Sequence, residues 1–282
     1  MKNIILFSLL FFSVSLSAWS QTEHYGVYAI KFASMAHPSP ISNWADKGPG
    51  KDSVNIDFMI WLIKGNNGKN ILVDAGFLKD IEAAKYFDIT HYGRPDSMLA
   101  KLALKAGDIT DIILSHPHWD HIDGIGLFPN AHIWIQKEDF NYFVGGAWQK
   151  DGRNGGFDKR DVRRLIDLNL AGKLTLVDGD DKEIIPGIKV YTGSRHTFNS
   201  QYVFVETGIN KVILASDNIW IYYNLEHLRP AASGGTSDTT AYVKSMIRMK
   251  TLVSDSKYII PGHDSKIFSL FPAVTEGVVK IE

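Results

Sequence analysis

His116-Pro117-His118-Trp119-Asp120-His121 puts three histidines and one aspartate within six residues. The apolar run at residues 109–114 precedes it, and we predict that run to be a short buried strand. Imidazole is the commonest metal ligand in proteins, and zinc accepts imidazole and carboxylate together. Alternate side chains of a loop at a strand end can face the same way. We therefore expect His116 and His118 to bind one ion, and Asp120 and His121 to bind another.

This cluster is too small to complete two metal sites, because one zinc ion takes three or four protein ligands. Further candidates follow other β-rich runs: His196, Asp217 and His263. Functional side chains often emerge where a rigid scaffold gives way to a loop. Each residue taken singly is better explained as a surface or hydrogen-bonded histidine or a turn-capping aspartate. Their order behind the hexapeptide favours a role as metal ligands.

Outside these residues the chain predicts runs of strands separated by helices. We predict strands at residues 25–33, 56–63, 70–73, 109–114, 131–136, 174–177, 188–191, 202–206, 211–215 and 258–260. We predict helices from a cap at Asp96 or Ser97 to residue 104, over residues 161–170, and from a cap at Ser237 or Asp238 to residue 252. The glycines between residues 145 and 156 indicate a mobile surface segment. This pattern favours two packed sheets with helices outside them.

Composition excludes several chemistries. The chain has 282 residues, a formal net charge of −1 and no cysteine. Disulfides, thiolate ligands and a cysteine nucleophile are therefore excluded. No cluster of lysine and arginine stands out, so we predict no nucleic-acid partner.

Residues 1–20 are typical of a secretory signal peptide. Lys2 is followed by an apolar run from about residue 4 to residue 16, and Ala18 and Ser20 are small residues suited to cleavage before Gln21. The alternative is a membrane anchor, but the run is shorter than the roughly 20 residues that a spanning helix needs. We expect a single domain at residues 21–282 that is periplasmic or secreted, without stable membrane association after cleavage. The sequence does not predict the oligomeric state.

The order of these residues resembles the metallo-β-lactamase superfamily over nearly the whole mature chain. The resemblance rests on Asp74, the hexapeptide, His196, Asp217 and His263. It implies an α/β fold of the α+β type, an αββα sandwich, with two metal ions, most simply two Zn²⁺. It further implies the role of each residue: His116, His118 and His196 as ligands of the first metal, Asp120, His121 and His263 as ligands of the second, Asp217 as the bridge, and Asp74 as the partner that orients a ligand histidine.

Within that superfamily the chain is most similar to the N-acyl-homoserine lactonases. The similarity rests on residues 70–76, 108–116 and 261–264. It implies opening of an acyl lactone, a small-molecule substrate, by water whose pKa the metals lower toward about 7. Asp120 is then the expected general acid–base.

One position departs from the lactonase pattern. Those enzymes usually carry a tyrosine three residues after the bridging aspartate, whereas this chain has Trp220, followed by Tyr222 and Tyr223. We expect Tyr223 to assist the substrate carbonyl, and Trp220 and Tyr222 to contact the acyl chain. The competing explanation is that these aromatic residues belong to the core.

Three alternatives remain open from sequence. A secreted organophosphate or aryl-ester hydrolase, or another β-lactamase-like enzyme of the same fold, would use the same metal ligands. An inert extracellular binding protein would keep the fold without a metal. The acyl-chain preference and the native metal are not encoded in any motif that we recognise.

Overall fold

The computed structural model describes residues 24–282, in which strands form two large sheets and one small hairpin. In chain order the strands are β1 (Tyr25–Met35), β2 (Ser39–Pro40), β3 (Ser53–Val54), β4 (Asp57–Gly65), β5 (Asn70–Val73), β6 (Ile89–Thr90), β7 (Asp111–Ile113), β8 (His132–Gln136), β9 (Leu174–Val177), β10 (Lys182–Ile185), β11 (Ile188–Thr192), β12 (Gln201–Glu206), β13 (Lys211–Ser216), β14 (Ile259–Pro261), β15 (Ala273–Thr275) and β16 (Val278–Lys280). The first sheet has the order β15-β16-β1-β4-β5-β7-β8-β9, with β6 also paired to β1, and the second has the order β10-β11-β12-β13-β14.

Helices connect the strands. The α-helices are α1 (Pro95–Met98), α2 (Trp119–Ile122), α3 (Lys137–Val144), α4 (Lys159–Leu170), α5 (Tyr222–His227), α6 (Thr239–Leu252) and α7 (Ile267–Leu270). Short 3₁₀ helices occupy Ile41–Asn43, Glu82–Tyr86, Leu99–Leu102, Ala106–Asp108, Asp123–Leu127, Gly146–Trp148 and Ser256–Tyr258. No helix within residues 24–282 is long and apolar enough to cross a membrane.

Strand β4 shows why the two sheets pack face to face. Successive side chains of a strand point to opposite faces of its sheet. Trp61 and Ile63 lie in the cluster between the sheets, where they join residues of the second sheet such as Val203 and Leu214. Ile60 and Leu62 point the other way, into a second cluster. Both faces of the first sheet are therefore buried, which explains the continuous apolar run of this strand.

The two outer faces of the sheets are covered by helices. On the first sheet, Leu72 and Ile112 share a cluster with Phe143 of α3 and Leu165 of α4. On the second sheet, Ile213 packs with residues of α6 in a third cluster. The layers are thus helix, sheet, sheet and helix. This arrangement confirms the predicted fold class.

Strand direction gathers several chain segments at one edge of the sandwich. β5 and β7 are parallel neighbours, so their carboxyl ends lie side by side. The same holds for β13 and β14. β11 and β13 are both antiparallel to β12, so β11 also ends at the edge where β13 ends. The residues that follow β5, β7, β11, β13 and β14 therefore converge.

Some predicted elements differ from the structure. The helix predicted from Asp96 or Ser97 begins at Pro95, and the residue before it, Arg94, makes no side-chain cap. That helix becomes a 3₁₀ helix that ends at Leu102 rather than at residue 104. The strand predicted at residues 109–114 is limited to Asp111–Ile113. The prediction for residues 1–20 lies outside the described residues.

Helix α6 begins at Thr239, and its cap is Asp238, one of the two predicted candidates, whose side chain accepts a hydrogen bond from the backbone N–H of Ala241. The glycine-rich segment at residues 145–156 is not simply a surface loop. The carbonyl of Gly156 accepts a hydrogen bond from Trp119 at 2.8 Å, inside the histidine-rich hexapeptide. This segment therefore packs against the residues of chemical interest.

Candidate metal centre

All seven predicted ligands lie together at the sandwich edge. They fall into two groups of side chains, and within each group the candidate ligand atoms lie within 4.8 Å of one another. The first group contains His116, His118, His196 and Asp217, and the second contains Asp120, His121 and His263. The parallel strand pairs explain why residues separated by up to about half the chain meet here.

In the first group three imidazole nitrogens point at one another. Nδ1 of His118 lies 3.1 Å from Nε2 of His116 and 3.0 Å from Nε2 of His196. Nitrogens bound tetrahedrally at 2.0–2.1 Å from one zinc ion would be about 3.3 Å apart. The three rings are therefore already close to the spacing that a shared metal ion requires.

The second group surrounds one carboxylate oxygen. Oδ2 of Asp120 lies 3.4 Å from Nε2 of His121 and 3.6 Å from Nε2 of His263. Asp120 and His121 belong to α2, whose first residue is Trp119. The single helical turn brings both side chains to the site from neighbouring positions.

Asp217 connects the two groups. Its Oδ2 lies 3.3 Å from Nε2 of His196, whereas its Oδ1 lies 2.9 Å from Nε2 of His263 and 3.4 Å from Nε2 of His121. One carboxylate oxygen therefore faces each group. That division is what a ligand bridging two metal ions requires.

Four of the five imidazoles have a hydrogen-bond partner on the ring nitrogen that points away from the cluster. Nδ1 of His121 lies 2.8 Å from Oδ2 of Asp74, and Nδ1 of His196 lies 2.7 Å from the carbonyl of Gly235. The other two contacts join Nδ1 of His116 to Oγ of Ser115 at 2.8 Å and Nδ1 of His263 to the carbonyl of Asp57 at 3.2 Å. If Nδ1 donates in each case, an unprotonated Nε2 faces the cluster, as a metal ligand must.

Asp74 is fully buried and is surrounded by donors. Its Oδ1 accepts from the backbone N–H of Ser115 at 2.8 Å, and its Oδ2 accepts from Oγ of Ser216 at 2.8 Å. Together with the contact to His121, these bonds place Asp74 as the residue that orients a ligand histidine. The structure thus puts it where the resemblance implies.

Two observations indicate that the cluster fits metal ions. Nε2 of His121 is buried without a hydrogen-bond partner within residues 24–282, and the buried Oδ1 of Asp217 faces only imidazole nitrogens of the cluster. Burial and the neighbouring histidines also lower the pKa of His116 well below its usual value, and lower that of His118 to about 3. Neutral imidazoles and unpartnered buried acceptors are the ligands that a cation satisfies.

The carboxylates act in the opposite direction on the two histidines of the second group, His121 and His263, and raise the pKa of both. Burial alone would lower the pKa of His121, but the charges of Asp120 and Asp217 raise it well above its usual value. Burial also opposes ionisation of Asp217, yet nearby His263 and His121 hold its pKa well below the usual range. In the metal-free centre, protons on these imidazoles balance the carboxylates, and bound cations would take the place of those protons.

A cavity of about 450 Å³ opens over the centre. The ligands Asp120, His118, His196, Asp217 and His263 form part of its wall, and aromatic side chains form much of the rest: Trp44, Phe58, Tyr86, Phe87, Trp119 and Trp220. Volumes of about 300–1,000 Å³ with mostly apolar walls are typical of small-molecule sites. The cavity can therefore hold an apolar group beside the candidate metal ligands.

A second cavity of about 410 Å³ shares His118 and His196 with the first. Arg153, Tyr142 and Phe198 contribute to its wall. No carboxylate within the described residues forms an ion pair with Arg153, and it is the only lysine or arginine that lines either cavity. Sequence reasoning missed this residue, because nothing in the glycine-rich segment around it predicts proximity to the metal ligands.

The structure does not bring Tyr222 and Tyr223 to the centre. Both belong to helix α5. Tyr222 is buried with the residues between the two sheets, and Tyr223 packs on His227 at a ring distance of 4.1 Å. Neither tyrosine lines the two cavities over the ligands. The expectation that Tyr223 assists a carbonyl and that Tyr222 contacts an acyl chain is therefore not supported by their positions.

Trp220 does line the first cavity, and its indole Nε1 donates a hydrogen bond to Oδ2 of Asp217 at 2.9 Å. Sequence reasoning also missed Trp119, Phe58 and Phe87 as cavity residues. Trp119 was detectable in principle, because it lies between His118 and Asp120. The two phenylalanines were not, because only the folded chain brings them to the ligands.

Comparison with known proteins gives a family match over most of the chain. Residues 59–263 match the family model described as the metallo-beta-lactamase superfamily. N-acyl homoserine lactonase AiiA of Bacillus thuringiensis subsp. kurstaki is 26% identical over 230 residues, which cover 77% of this chain and 84% of that protein.

Solved structures show the same fold. A B. thuringiensis AiiA mutant with N-decanoyl-L-homoserine bound at its active site matches with a TM-score of 0.69 and 23% identity, over 90% of this chain and 98% of that one. AidC, described as a dizinc quorum-quenching lactonase, matches with a TM-score of 0.62 and 20% identity, over 86% of this chain and 88% of that one.

Proposed function

Because this chain belongs to the metallo-beta-lactamase superfamily, we propose that it is a dinuclear metal hydrolase that opens the lactone ring of N-acyl-homoserine lactones. The observation that carries the proposal is Asp217, whose two oxygens face the two ligand groups beneath an aromatic cavity. The 26% identity with a curated lactonase supports the choice of substrate.

The first group would hold one metal ion and the second group the other, with Asp217 shared between them. Imidazole and carboxylate ligands without any thiolate suit zinc, which we propose as the native metal. Bound in this way, the two ions would supply a water nucleophile at neutral pH and polarise the ester carbonyl.

Asp120 is the residue that we assign to proton transfer. Burial opposes its ionisation, but the neighbouring His121 and His263 lower its pKa below the usual value, so it is a carboxylate at neutral pH. Its Oδ2 faces the two imidazoles. Its other oxygen, Oδ1, can accept a proton from the attacking water and donate it to the leaving alkoxide. The cleaved ester thus gives a carboxylic acid and an alcohol on one product molecule.

The aromatic cavity accounts for an acyl substrate. Phe58, Phe87 and Trp119 pack together at ring distances of 5.4–6.1 Å and form a wall beside Asp120. An alkyl chain laid on this wall would leave water, which stabilises the complex by about 0.8 kcal/mol for each buried CH₂ group. We therefore expect longer acyl chains to lower KM until the cavity is filled.

Direct assay of ring opening tests the proposal. Zinc-loaded protein is incubated with hexanoyl- and decanoyl-homoserine lactone, acid release is followed by pH-stat titration, and the product is identified by mass spectrometry. We expect one acid equivalent per substrate and an intact amide. Asp120→Asn should lower kcat by about 10²–10⁴-fold, the range for loss of a general acid–base.

A histidine outside the site provides the matched control. His132 contacts Oγ1 of Thr175 at 2.7 Å in the first sheet and belongs to neither ligand group. His132→Ala should keep lactone turnover, whereas His121→Ala should lose most of it. Release of free homoserine lactone and a fatty acid would show an acylase and contradict the proposal. Turnover of paraoxon or aryl esters in preference to both lactones would also contradict it.

A further inference from the structure

Trp220 occupies the position, three residues after Asp217, where the sequence departs from the lactonase pattern. Its indole N–H donates to Oδ2 of Asp217 at 2.9 Å. An indole has one N–H and no acceptor, so this bond uses its whole hydrogen-bonding capacity. Trp220 therefore has no donor left for a substrate carbonyl.

The bond fixes the orientation of a carboxylate that would otherwise rotate. The terminal torsion of an aspartate side chain is broad, so packing or hydrogen bonds must select its angle. With Oδ2 held by Trp220 on the side of His196, Oδ1 is directed toward His263. A methyl group at Gly262 would collide with Oδ1, so the carboxylate has little room on its other side.

The indole ring also touches the support of a second ligand. A side chain at Gly235 would collide with the Trp220 ring, so the ring lies directly against the backbone there. The carbonyl of Gly235 accepts from Nδ1 of His196 at 2.7 Å, and the Trp220 and His196 rings are 5.8 Å apart. One side chain therefore contacts Asp217 directly and His196 both directly and through Gly235.

The backbone of Trp220 joins the same network. Its carbonyl accepts from the backbone N–H of His263 at 3.0 Å, and its N–H donates to the hydroxyl of Tyr242 at 3.1 Å. Tyr242 is fully buried, and its hydroxyl also donates to the carbonyl of Asp217 at 3.3 Å. The residue is thus held rigidly between the segments that carry Asp217 and His263.

We propose that Trp220 is a positioning residue, which orients Asp217 and His196 for metal binding and takes no part in polarising the substrate carbonyl. The proposal rests on the dinuclear centre proposed above, but not on its substrate. In this chain the position that carries a tyrosine in the lactonase pattern thus serves the metal ligands.

The test measures Zn²⁺ binding without any lactone. Metal-free protein competes with a chromophoric chelator for Zn²⁺, and tryptophan fluorescence is recorded in the same titration. Trp220→Phe should weaken binding of one of the two ions by about 10–100-fold, the usual effect of removing a partner of a metal ligand. Zn²⁺ binding to Asp217 should change the fluorescence of Trp220, because the indole is bonded to that carboxylate. This part of the fluorescence change should be absent in Trp220→Phe.

Trp134 provides a matched control, because its indole donates to the buried carboxylate of Asp111 at 3.0 Å, outside the site. Trp134→Phe removes the same kind of bond and should leave Zn²⁺ affinity unchanged. Should Trp220→Phe fail to fold, Gly235→Ala places a methyl group against the same ring and should weaken binding in the same direction.

Wild-type Zn²⁺ affinity in both Trp220→Phe and Gly235→Ala would overturn the proposal. So would a Trp220→Phe enzyme that binds Zn²⁺ normally but loses about 10²-fold in kcat, because the indole would then act on the substrate. Absence of lactone turnover in the wild type would refute only the proposed substrate, since the binding result does not depend on it.

Discussion

The Asp74→Asn substitution keeps the ligand His121 in the chain but removes the carboxylate oxygen that orients its imidazole. Asp74 has a positive φ of 61°, which asparagine tolerates better than most residues, so the backbone can stay as it is. The amide oxygen can replace Oδ1 and accept from the N–H of Ser115. The amide nitrogen then replaces Oδ2, which faces Nδ1 of His121 and the hydroxyls of Ser115 and Ser216.

The hydroxyls and the imidazole respond differently to an amide N–H. The hydroxyls of Ser115 and Ser216 can rotate and accept a hydrogen bond, because a hydroxyl is both donor and acceptor. The imidazole of His121 has no such freedom. It either keeps its proton on Nδ1 and loses its partner, or moves the proton to Nε2, the atom that faces Asp120 and Asp217. A protonated Nε2 cannot bind a metal ion.

This reasoning predicts a loss of about 10–100-fold in affinity for one Zn²⁺ ion. The unpaired buried donor should also lower the free energy of unfolding of the metal-free protein by about 1–3 kcal/mol. Chelator competition measures the first quantity, and urea unfolding measures the second.

Asp111→Asn is the control for stability. Asp111 is a buried carboxylate that accepts from Lys69 at 2.8 Å and lies outside both ligand groups. The Asp111→Asn substitution should lower the free energy of unfolding without changing Zn²⁺ affinity. Wild-type Zn²⁺ affinity in Asp74→Asn would refute the role assigned to Asp74.

Three further outcomes are expected. Burial and the charge of Asp123 raise the pKa of Asp161 to about 8, so the folded state keeps a proton that the unfolded state releases near pH 4. This contribution to the free energy of unfolding is present at low pH and is lost as pH rises from about 4 to 8. Urea unfolding should show that Asp161→Asn removes this pH dependence. An unchanged pH dependence in the variant would contradict the role of Asp161. Tyr223→Phe should leave kcat and Zn²⁺ affinity unchanged, and a loss of about 10²-fold in kcat would return that residue to the site. Arg153→Gln should raise the ratio of KM for a homoserine lactone whose acyl chain ends in a carboxylate to KM for its neutral analogue, whereas Arg163→Gln should not. Equal effects of the two variants on this ratio would show that the second cavity does not bind the acidic group.

The sequence predicted strands and helices well where the residues of one segment alone determine its secondary structure. The run at residues 70–73 coincides with β5, and the Asp238 cap coincides with the start of α6. Helix α3 was missed, although Phe140, Phe143 and Val144 follow the spacing of a buried helical face. The sequence of this segment therefore does indicate a helix.

Other elements depend on contacts that no local pattern contains. β16 is short and pairs both with neighbouring β15 and with β1, some 250 residues earlier in the chain. Helix α5 is six residues long, and its first turn is held by Asn224, whose Oδ1 accepts from the N–H of Ile221 at 3.0 Å. Helices this short have little intrinsic stability, so tertiary packing decides whether they form.

The candidate centre shows the same division. The hexapeptide brings Asp120 and His121 together through one helical turn, so the sequence alone indicates a metal site. The bond from Trp220 to Asp217 was not predictable in this way. The chain shows that Trp220 replaces a tyrosine, but only the fold shows that its N–H points to the bridging carboxylate rather than to the cavity.

We propose that two metal ions bound by these seven side chains enable the protein to open acyl lactones. Stepwise addition of Zn²⁺ to exhaustively chelated protein, with hexanoyl-homoserine lactone turnover measured at each step, tests it most directly. We expect no turnover without metal and a plateau at about two equivalents of Zn²⁺ per chain. Full turnover by the chelated protein, before any metal is added, would contradict it.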